Sequence, residues 1–166
     1  MPADKRILTL SLLLAGDVLL LDRLSKWLLL GIIPSPSHPP IELTPFFNLA
    51  MVWNHGISFG LFASHHHPFF IIMPLLLIIA ILLIWLYKNS SPRVACALGF
   101  VIGGAISNII DRLRFGAVAD FFDAHIGHYH WPAFNIADSA IFIGVVLLCL
   151  SSMFTEHRNL NKGSAL

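Results

Sequence analysis

Four long apolar stretches alternate with more polar connections along the chain. They cover residues 7–33, 69–87, 94–112 and 132–154. A helix needs about 20 mostly apolar residues to cross the roughly 30 Å hydrocarbon core of a bilayer. The pattern therefore predicts an all-α integral membrane protein, a single domain over residues 1–166 with four transmembrane helices.

The connection between the first two stretches has a different pattern. Residues 41–62 are rich in Ile, Val, Phe and Trp and are interrupted by the turn-like sequence Asn54-His55-Gly56 and by Gly60. This is typical of short strands around a turn, so we predict a small β element on the outer, periplasmic membrane surface. An unpaired strand edge there could bind an extended peptide, whereas a surface loop resting on the helices fits the composition equally well.

The composition also indicates that the bilayer is the solvent. The chain is 57% hydrophobic and only 11% charged, well away from the average soluble domain. Its net charge of +1 and its lack of Lys/Arg-rich runs argue against nucleic acid as a partner. Membrane lipids are therefore the expected surroundings.

Basic residues near the ends of the apolar stretches predict the orientation, because cytoplasmic flanks collect positive charge. With four spans both termini share one side, and these basic residues fall on it: Lys5, Arg6, Lys88, Arg93, Arg158 and Lys162. The connections at 34–68 and 115–131 contain no Lys or Arg. We therefore predict a multi-pass protein with cytoplasmic termini.

Ionisable side chains inside or beside a span are costly, so each one marks a candidate functional site. Asp22 and Lys26 are four residues apart on one helical face, which is the spacing of an ion pair. A purely structural pair near the headgroups explains these two residues as well. Asn108 and Asp111 also share a helical face, where a polar cluster would hold the outer ends of the helices together.

Asp120 and Asp138 lie on either side of a short outer connection, so they can meet at one depth of the interface. Two close carboxylates cannot both ionise easily and share a proton, which provides a general base and a general acid. This is the chemistry of aspartic peptidases. Spacing alone does not select this pair from the candidate acids Asp17, Asp22, Glu42, Asp111, Asp120, Asp123 and Asp138. A first-turn helix carboxylate stabilised by the dipole is the second explanation for Asp138.

Serine and histidine side chains could carry different chemistry. Ser58, Ser107 and Ser139 lie near the candidate site, but no Lys or His stands at an evident general-base spacing. The histidines at 65–67 and the group at 125–130 could bind zinc or copper, although exposed loop histidines are the simpler explanation. A His-rich membrane metal-binding or transport protein is therefore the alternative function.

The residues resemble a known family, the lipoprotein signal peptidases, also called signal peptidase II or prolipoprotein signal peptidase. The resemblance rests on LDRLSK at 21–26, Asn48 with WNHGISFG at 53–60, GGA at 103–105 with NIIDR at 108–112, GAVADF at 116–121 and WPAFNIADS at 131–139. Each motif alone is modest, but their combination in this order is specific. Two departures are Arg23, where the family often has Gln, and Ser107, where Gly is usual.

The resemblance implies a bacterial inner-membrane peptidase that removes the signal peptide from diacylglyceryl-modified prolipoproteins, cutting before the lipidated cysteine. Asp120 and Asp138 match the two catalytic aspartates of the family. Further matches predict substrate-binding or dyad-supporting roles for Asp22, Lys26, Asn54, Gly56, Asn108, Asp111, Arg112 and Asn135. A carboxylate dyad needs no metal or other cofactor, and a monomer is expected.

Overall fold

The computed structural model describes residues 4–56, 69–88 and 91–163. Its helices are α1 (Lys5–Ile32), α2 (Phe69–Lys88), α3 (Pro92–Phe115) and α4 (Ile136–Gly163). Its strands are β1 (Ile41–Thr44), β2 (Phe47–Asn54), β3 (Val118–Ile126) and β4 (Tyr129–His130). The fold is therefore mostly helical, with one small sheet.

Three helices in the described ranges are long and apolar enough to cross a membrane. The apolar windows are Ile71–Lys88, Pro92–Phe115 and Ile136–Met153. The remaining helix, α1, has 28 residues but carries the charged cluster of residues 22–26 in its second half. The protein is thus a membrane protein with three spans recognisable by length and composition.

Helix α3 lies at the centre of the bundle. Within the window of α3, 78% of the residues are buried, against 22% for α2 and 17% for α4. Glycines allow α1 to approach closely: a Cβ on Gly99 would lie 2.6 Å from the Ser11 carbonyl oxygen, and one on Gly103 would lie 2.6 Å from that of Ala15. Residue numbers increase together in α1 and α3 from the first contact to the second, so the two helices run in the same direction.

Helix α4 packs on another face of α3 in the opposite direction. Gly104 of α3 meets the start of α4 at Ala137, whereas Gly144, further along α4, meets Ala97 and Val101. Helix α2 contributes Ile72, Ile79 and Leu86 to an apolar cluster with α3. The other faces of α2 are suited to contact lipid, because apolar side chains such as Leu77 are exposed there.

The sheet is antiparallel in the order β1-β2-β3-β4 and draws strands from both outer connections. The register between β2 and β3 shifts between Leu49 and Val52, so β2 contains one extra residue there. Below the sheet, Ile33 from the end of α1 packs with Met51 and Phe121. This contact fixes the sheet against the helical bundle.

Two predictions need correction. The β element is not confined to the first outer connection, because residues 118–130 supply half of its strands. Strand β1 forms one edge of the sheet, two strands away from Asp120, and β4 pairs with β3 only at His125 and Ile126. Helix α4 begins at Ile136 and not near 132, because Phe134 is held extended by a bridge to Phe122.

The other helix bounds differ by a few residues from the predicted ones, and α4 continues to Gly163 beyond the predicted end at 154. The predicted β segment is confirmed as strand over Ile41–Thr44 and Phe47–Asn54. Its last part at 57–62, together with Ser58 and the histidines at 65–67, lies outside the described residues.

Candidate active site

The site forms where α3 ends, β3 crosses and α4 begins. Gly116 terminates α3 in the left-handed conformation, with φ 73°, and its N–H donates to the Arg112 carbonyl. A residue with a side chain would be strained at this φ, so glycine allows the sharp change of direction. The chain then enters β3 directly, which brings Asp120 back beside the last turn of α3.

Asp120 lies on β3 and is 1% exposed. One oxygen, Oδ2, accepts a hydrogen bond from Asn54 Nδ2 at 3.1 Å. The other oxygen, Oδ1, accepts from Asn135 Nδ2 at 2.7 Å. A neighbouring strand and the α4 start therefore hold the carboxyl group from both sides.

Asp138 lies in the first turn of α4, the position that the helix-dipole explanation of this residue expected. Asn135 is the N-cap: its Oδ1 accepts from the Asp138 backbone N–H at 2.9 Å, and Asp138 Oδ2 accepts from the Asn135 N–H at 3.2 Å. This reciprocal pair is a capping box with Asp at its last position. The other oxygen, Oδ1, accepts from Asn108 Nδ2 at 2.8 Å. The cap thus orients Asp138 towards α3.

Two amides connect the carboxyl groups. Nδ2 of Asn135 lies 2.7 Å from Asp120 Oδ1 and 3.3 Å from Asn108 Oδ1. Asn108 in turn donates to Asp138. Both asparagines are buried, so the amides have few competing partners. The structure therefore brings Asp120, Asp138, Asn108 and Asn135 together, in keeping with the expectation that Asp120 and Asp138 can meet at one depth.

The surroundings raise the pKa of Asp120 from 3.8 to about 7. Burial is the largest cause, and the negative charge of Asp138 adds to it. Hydrogen bonds from Asn54 and Asn135 and the positive charge of Lys26 oppose the increase in this pKa. A carboxyl group that holds a proton near neutral pH beside a second carboxyl group can supply both an acid and a base.

Arg112 connects the dyad to the outer connection. Its Nη2 donates to the Gly56 carbonyl at 2.6 Å, and its Nη1 donates to the Asn108 carbonyl at 3.2 Å. The Gly56 N–H donates to Asn54 Oδ1 at 3.0 Å. Gly56 is thereby held at both its backbone groups. Among the described residues, Arg112 Nε is buried and has no hydrogen-bond partner.

An ion cluster lies behind the dyad. Lys26 Nζ lies 2.7 Å from Asp22 Oδ2, which confirms the predicted pair on one helical face. The same Nζ lies 2.6 Å from Asp111 Oδ2, so the pair extends from α1 to α3. Both aspartates are 0% exposed and Lys26 is 3% exposed. Charges this deeply buried persist only when they are paired.

Two members of this cluster, Arg23 and Ser107, were not among the site residues predicted from the sequence. Arg23 Nη1 lies 2.6 Å from Asp111 Oδ1, and Ser107 Oγ donates to Asp22 Oδ2 at 2.6 Å. The signal that could have found Ser107 was its position four residues before Asp111, on the same face of α3. From the sequence, Ser107 was considered only as a possible nucleophile and as a departure from the family pattern.

Other candidate residues lie elsewhere. Asp17 and Glu42 are exposed. Asp123 instead pairs with His130, whose Nδ1 lies 2.8 Å from Asp123 Oδ1. Ser139 donates its hydroxyl to the Asn135 carbonyl and so belongs to the first turn of α4. Across residues 4–56, 69–88 and 91–163, no group of three His, Cys, Asp or Glu side chains is arranged to hold a metal ion.

Comparisons with known proteins agree on one family. Residues 14–154 match the family model described as signal peptidase (SPase) II. A lipoprotein signal peptidase of Beijerinckia indica subsp. indica is 43% identical over 140 residues, covering 83% of this chain and 84% of that protein. One of Methylobacterium sp. is 37% identical over 155 residues, covering 92% and 94%.

Solved structures show the same likeness. A structure described as a bacterial membrane enzyme matches with a TM-score of 0.76 and 29% identity, over 86% of this chain and 87% of that chain. A second one of the same description has a TM-score of 0.69 and 32% identity, over 85% and 90%. The arrangement of helices and sheet is therefore one already seen in membrane enzymes.

Proposed function

The chain belongs to the signal peptidase II family, and on that premise we propose that it is an aspartic endopeptidase whose catalytic residues are Asp120 and Asp138. The observation that supports this proposal most strongly is the bridge of two buried amides between their carboxyl groups, with one pKa near 7. The family assignment gives no support to a metal-binding or transport protein.

The proposed reaction needs one water molecule and one proton on the dyad. One carboxylate accepts a proton from the water while the water oxygen attacks the carbonyl carbon of the scissile peptide bond. The C–N bond of the resulting intermediate then breaks, and the other aspartate donates its proton to the departing nitrogen. The pKa of Asp120 near 7 supports this scheme, because the pair then holds one proton at neutral pH.

The proposed substrates are diacylglyceryl-modified prolipoproteins, cut before the lipidated cysteine. The name of the relatives, lipoprotein signal peptidase, supports this class. We propose Asn54, whose amide donates to Asp120, and Arg112, which donates to the Gly56 carbonyl, as the residues that bind the peptide backbone. Exposed apolar faces of α2 and α4 would let the acyl chains remain in lipid.

We further propose four spans, with both termini in the cytoplasm and the dyad at the periplasmic face of the inner membrane. Helix α1 runs beside α3 in the same direction, so it would cross the bilayer wherever α3 does. Asp22 and Lys26 of α1 are buried and paired with each other, and Lys26 also pairs with Asp111 of α3, which lowers the cost of that crossing. Reporter fusions at the C-terminus test this, since activity of a periplasmic reporter there would contradict it.

The decisive experiment uses purified Asp120→Asn, Asp138→Asn and the double variant in a cleavage assay with a lipid-modified and an unmodified prolipoprotein. Each single variant should lose nearly all turnover, and the double variant should be little worse, because the two residues act as a unit. Wild-type enzyme should cut only the lipid-modified substrate and should continue to do so with a strong chelator present. Either single variant cutting at nearly the wild-type rate would end the aspartic assignment.

A further inference from the structure

Two carboxylates of the ion cluster hold backbone groups next to the dyad. Asp22 Oδ1 accepts from the N–H of Ala137 at 3.0 Å, and Asp111 Oδ2 accepts from the N–H of Ala119 at 3.4 Å. Each of these N–H groups belongs to the residue immediately before a proposed catalytic aspartate. The separation of Asp22 from Asp111 therefore affects where both catalytic residues are held.

Two cations join these carboxylates across the interface of α1 and α3. Lys26 Nζ lies 2.7 Å from Asp22 and 2.6 Å from Asp111. Arg23 makes a second bridge, with Nη2 at 3.0 Å from Asp22 and Nη1 at 2.6 Å from Asp111. A flexible lysine chain fixes a distance poorly, whereas the planar guanidinium fixes both distance and direction.

Ser107 holds this second bridge in place. Its Oγ donates to Asp22 Oδ2 at 2.6 Å and accepts from Arg23 Nε at 3.1 Å. The guanidinium also donates to the Ser107 carbonyl at 3.3 Å. Three donors from three residues thus converge on Asp22 Oδ2, which leaves Oδ1 turned to the backbone of α4. Ser107 is 0% exposed, so water cannot replace its hydroxyl.

We propose that Ser107 and Arg23 are positioning residues that set the separation of Asp120 and Asp138. The hydroxyl fixes the guanidinium, the guanidinium fixes Asp22 against Asp111, and those carboxylates hold the backbone on which the dyad is mounted. Neither residue touches the reacting atoms. The inference depends on the proposed aspartic mechanism, because it concerns the geometry of that dyad.

Ser107→Ala tests the proposal without changing any charge. The charged groups that face Asp120 are Lys26 from α1, Arg112 from α3 and Asp138 from α4, and all of them remain. If the two carboxyl groups lie further apart, their repulsion is weaker and the shared proton is lost at a lower pH. The alkaline limb of the pH–activity profile should therefore shift to lower pH. We also expect kcat to fall by about 10-fold to 100-fold with KM little changed, because misplaced catalytic groups slow the chemical step.

The matched control is Ser25→Ala. Its hydroxyl lies one turn along α1 from Asp22 and donates only to the Asp22 carbonyl oxygen, so its kinetic constants and pH profile should remain those of the wild type. Arg23→Gln combined with Ser107→Ala should cost little more than Arg23→Gln alone, since the Ser107 hydroxyl is proposed to act by holding the guanidinium.

The pH profile distinguishes positioning from simple support of the fold. Partial unfolding would reduce the amplitude of the profile and leave the alkaline limb at the wild-type pH. An unshifted limb in Ser107→Ala, with or without reduced amplitude, would overturn the proposal. That result would leave the proposed function intact, because the wild-type enzyme and the dyad variants are measured in the same assay.

Discussion

Asp120 and Asp123 are two aspartates of one strand with very different surroundings. They lie three residues apart on β3, so their side chains point to opposite faces of the sheet. Each accepts a hydrogen bond from an asparagine of β2, Asp120 from Asn54 at 3.1 Å and Asp123 from Asn48 at 3.2 Å. The extra residue in β2 lies between Asn48 and Asn54, so these two side chains of β2 can reach opposite faces of the sheet.

The surroundings of Asp120 and Asp123 differ in the side chain that lies beside each carboxyl group in addition to the asparagine. Asp120 faces the helices and meets a second carboxyl group, that of Asp138, in a buried site. Asp123 faces outwards and meets His130, whose side chain is 52% exposed. Two like charges in a buried site favour a shared proton, whereas an acid beside a histidine favours an ordinary surface pair. Strand β3 carries both carboxyl groups, but only that of Asp120 lies against the helix ends and beside a second carboxyl group.

The largest effect is expected from Lys26→Met, which removes the more buried of the two cations that join Asp22 to Asp111. Removing one partner from a buried ion pair costs about 3–5 kcal/mol, because the remaining charges are left uncompensated. We expect a large fall in the unfolding temperature in detergent and loss of cleavage. His130→Gln, which removes the imidazole of the exposed pair, should change neither quantity much. Normal stability and cleavage in Lys26→Met would show that the cluster does not support the dyad.

The next prediction concerns pH. The pKa of Asp120 is raised to about 7, so cleavage should fall as the pH rises above about 7 and the shared proton is lost. The stability of the fold should also decrease as the pH rises. Between pH 3.8, the ordinary pKa, and about 7 the folded protein binds more protons than the unfolded chain, so the free energy of unfolding decreases as the pH rises.

Asp138→Asn checks the origin of this pH dependence. It removes the negative charge that raises the pKa of Asp120, so the decrease in stability with pH should become shallower and should end at a lower pH. Asp123→Asn should leave the pH dependence of stability across this window close to that of the wild type. If the free energy of unfolding decreased with pH equally steeply in Asp138→Asn and in the wild type, the coupling of the two carboxyl groups would be contradicted.

The sequence predicted well what depends on local spacing. The apolar stretches located the helices, and the four-residue interval located the Asp22–Lys26 pair. The start of α4 could have been located too, because Asn135 followed three residues later by Asp138 is a capping signal. The apolar run before it instead suggested a helix from 132.

Contacts between distant segments could not be predicted in this way. Strand β3 pairs with β2 across two intervening helices, and no periodicity in either segment records that partner. The contact of Arg23 with Ser107 has the same origin, since it joins α1 to α3. The choice of Asp120 and Asp138 as the dyad depended on the family resemblance, because spacing alone left seven acids.

A smaller effect is expected from Asn54→Ala, compared with Asn48→Ala as its counterpart on the other face. Loss of one hydrogen bond costs on the order of 0.5–1.5 kcal/mol, so Asn54→Ala should reduce kcat/KM by up to about tenfold. Asn48 donates to Asp123 and not to the dyad, so Asn48→Ala should cleave at nearly the wild-type rate. Equal effects of the two substitutions would mean that the sheet acts only as support.

The smallest effect is expected from Asp123→Asn. The substitution retains the size of the side chain and removes only the charge opposite His130, and an ion pair this exposed contributes about 0.2–1 kcal/mol at most. The helix ends that surround Asp120 do not contact this side chain in the described residues, so the shared proton and the amide bridge should remain. Cleavage should therefore stay close to wild type, measured beside Asp120→Asn in the same membranes. A loss of turnover in Asp123→Asn comparable to that in Asp120→Asn would place the outer face of β3 in the catalytic machinery, because the two carboxyl groups share the strand but not their surroundings.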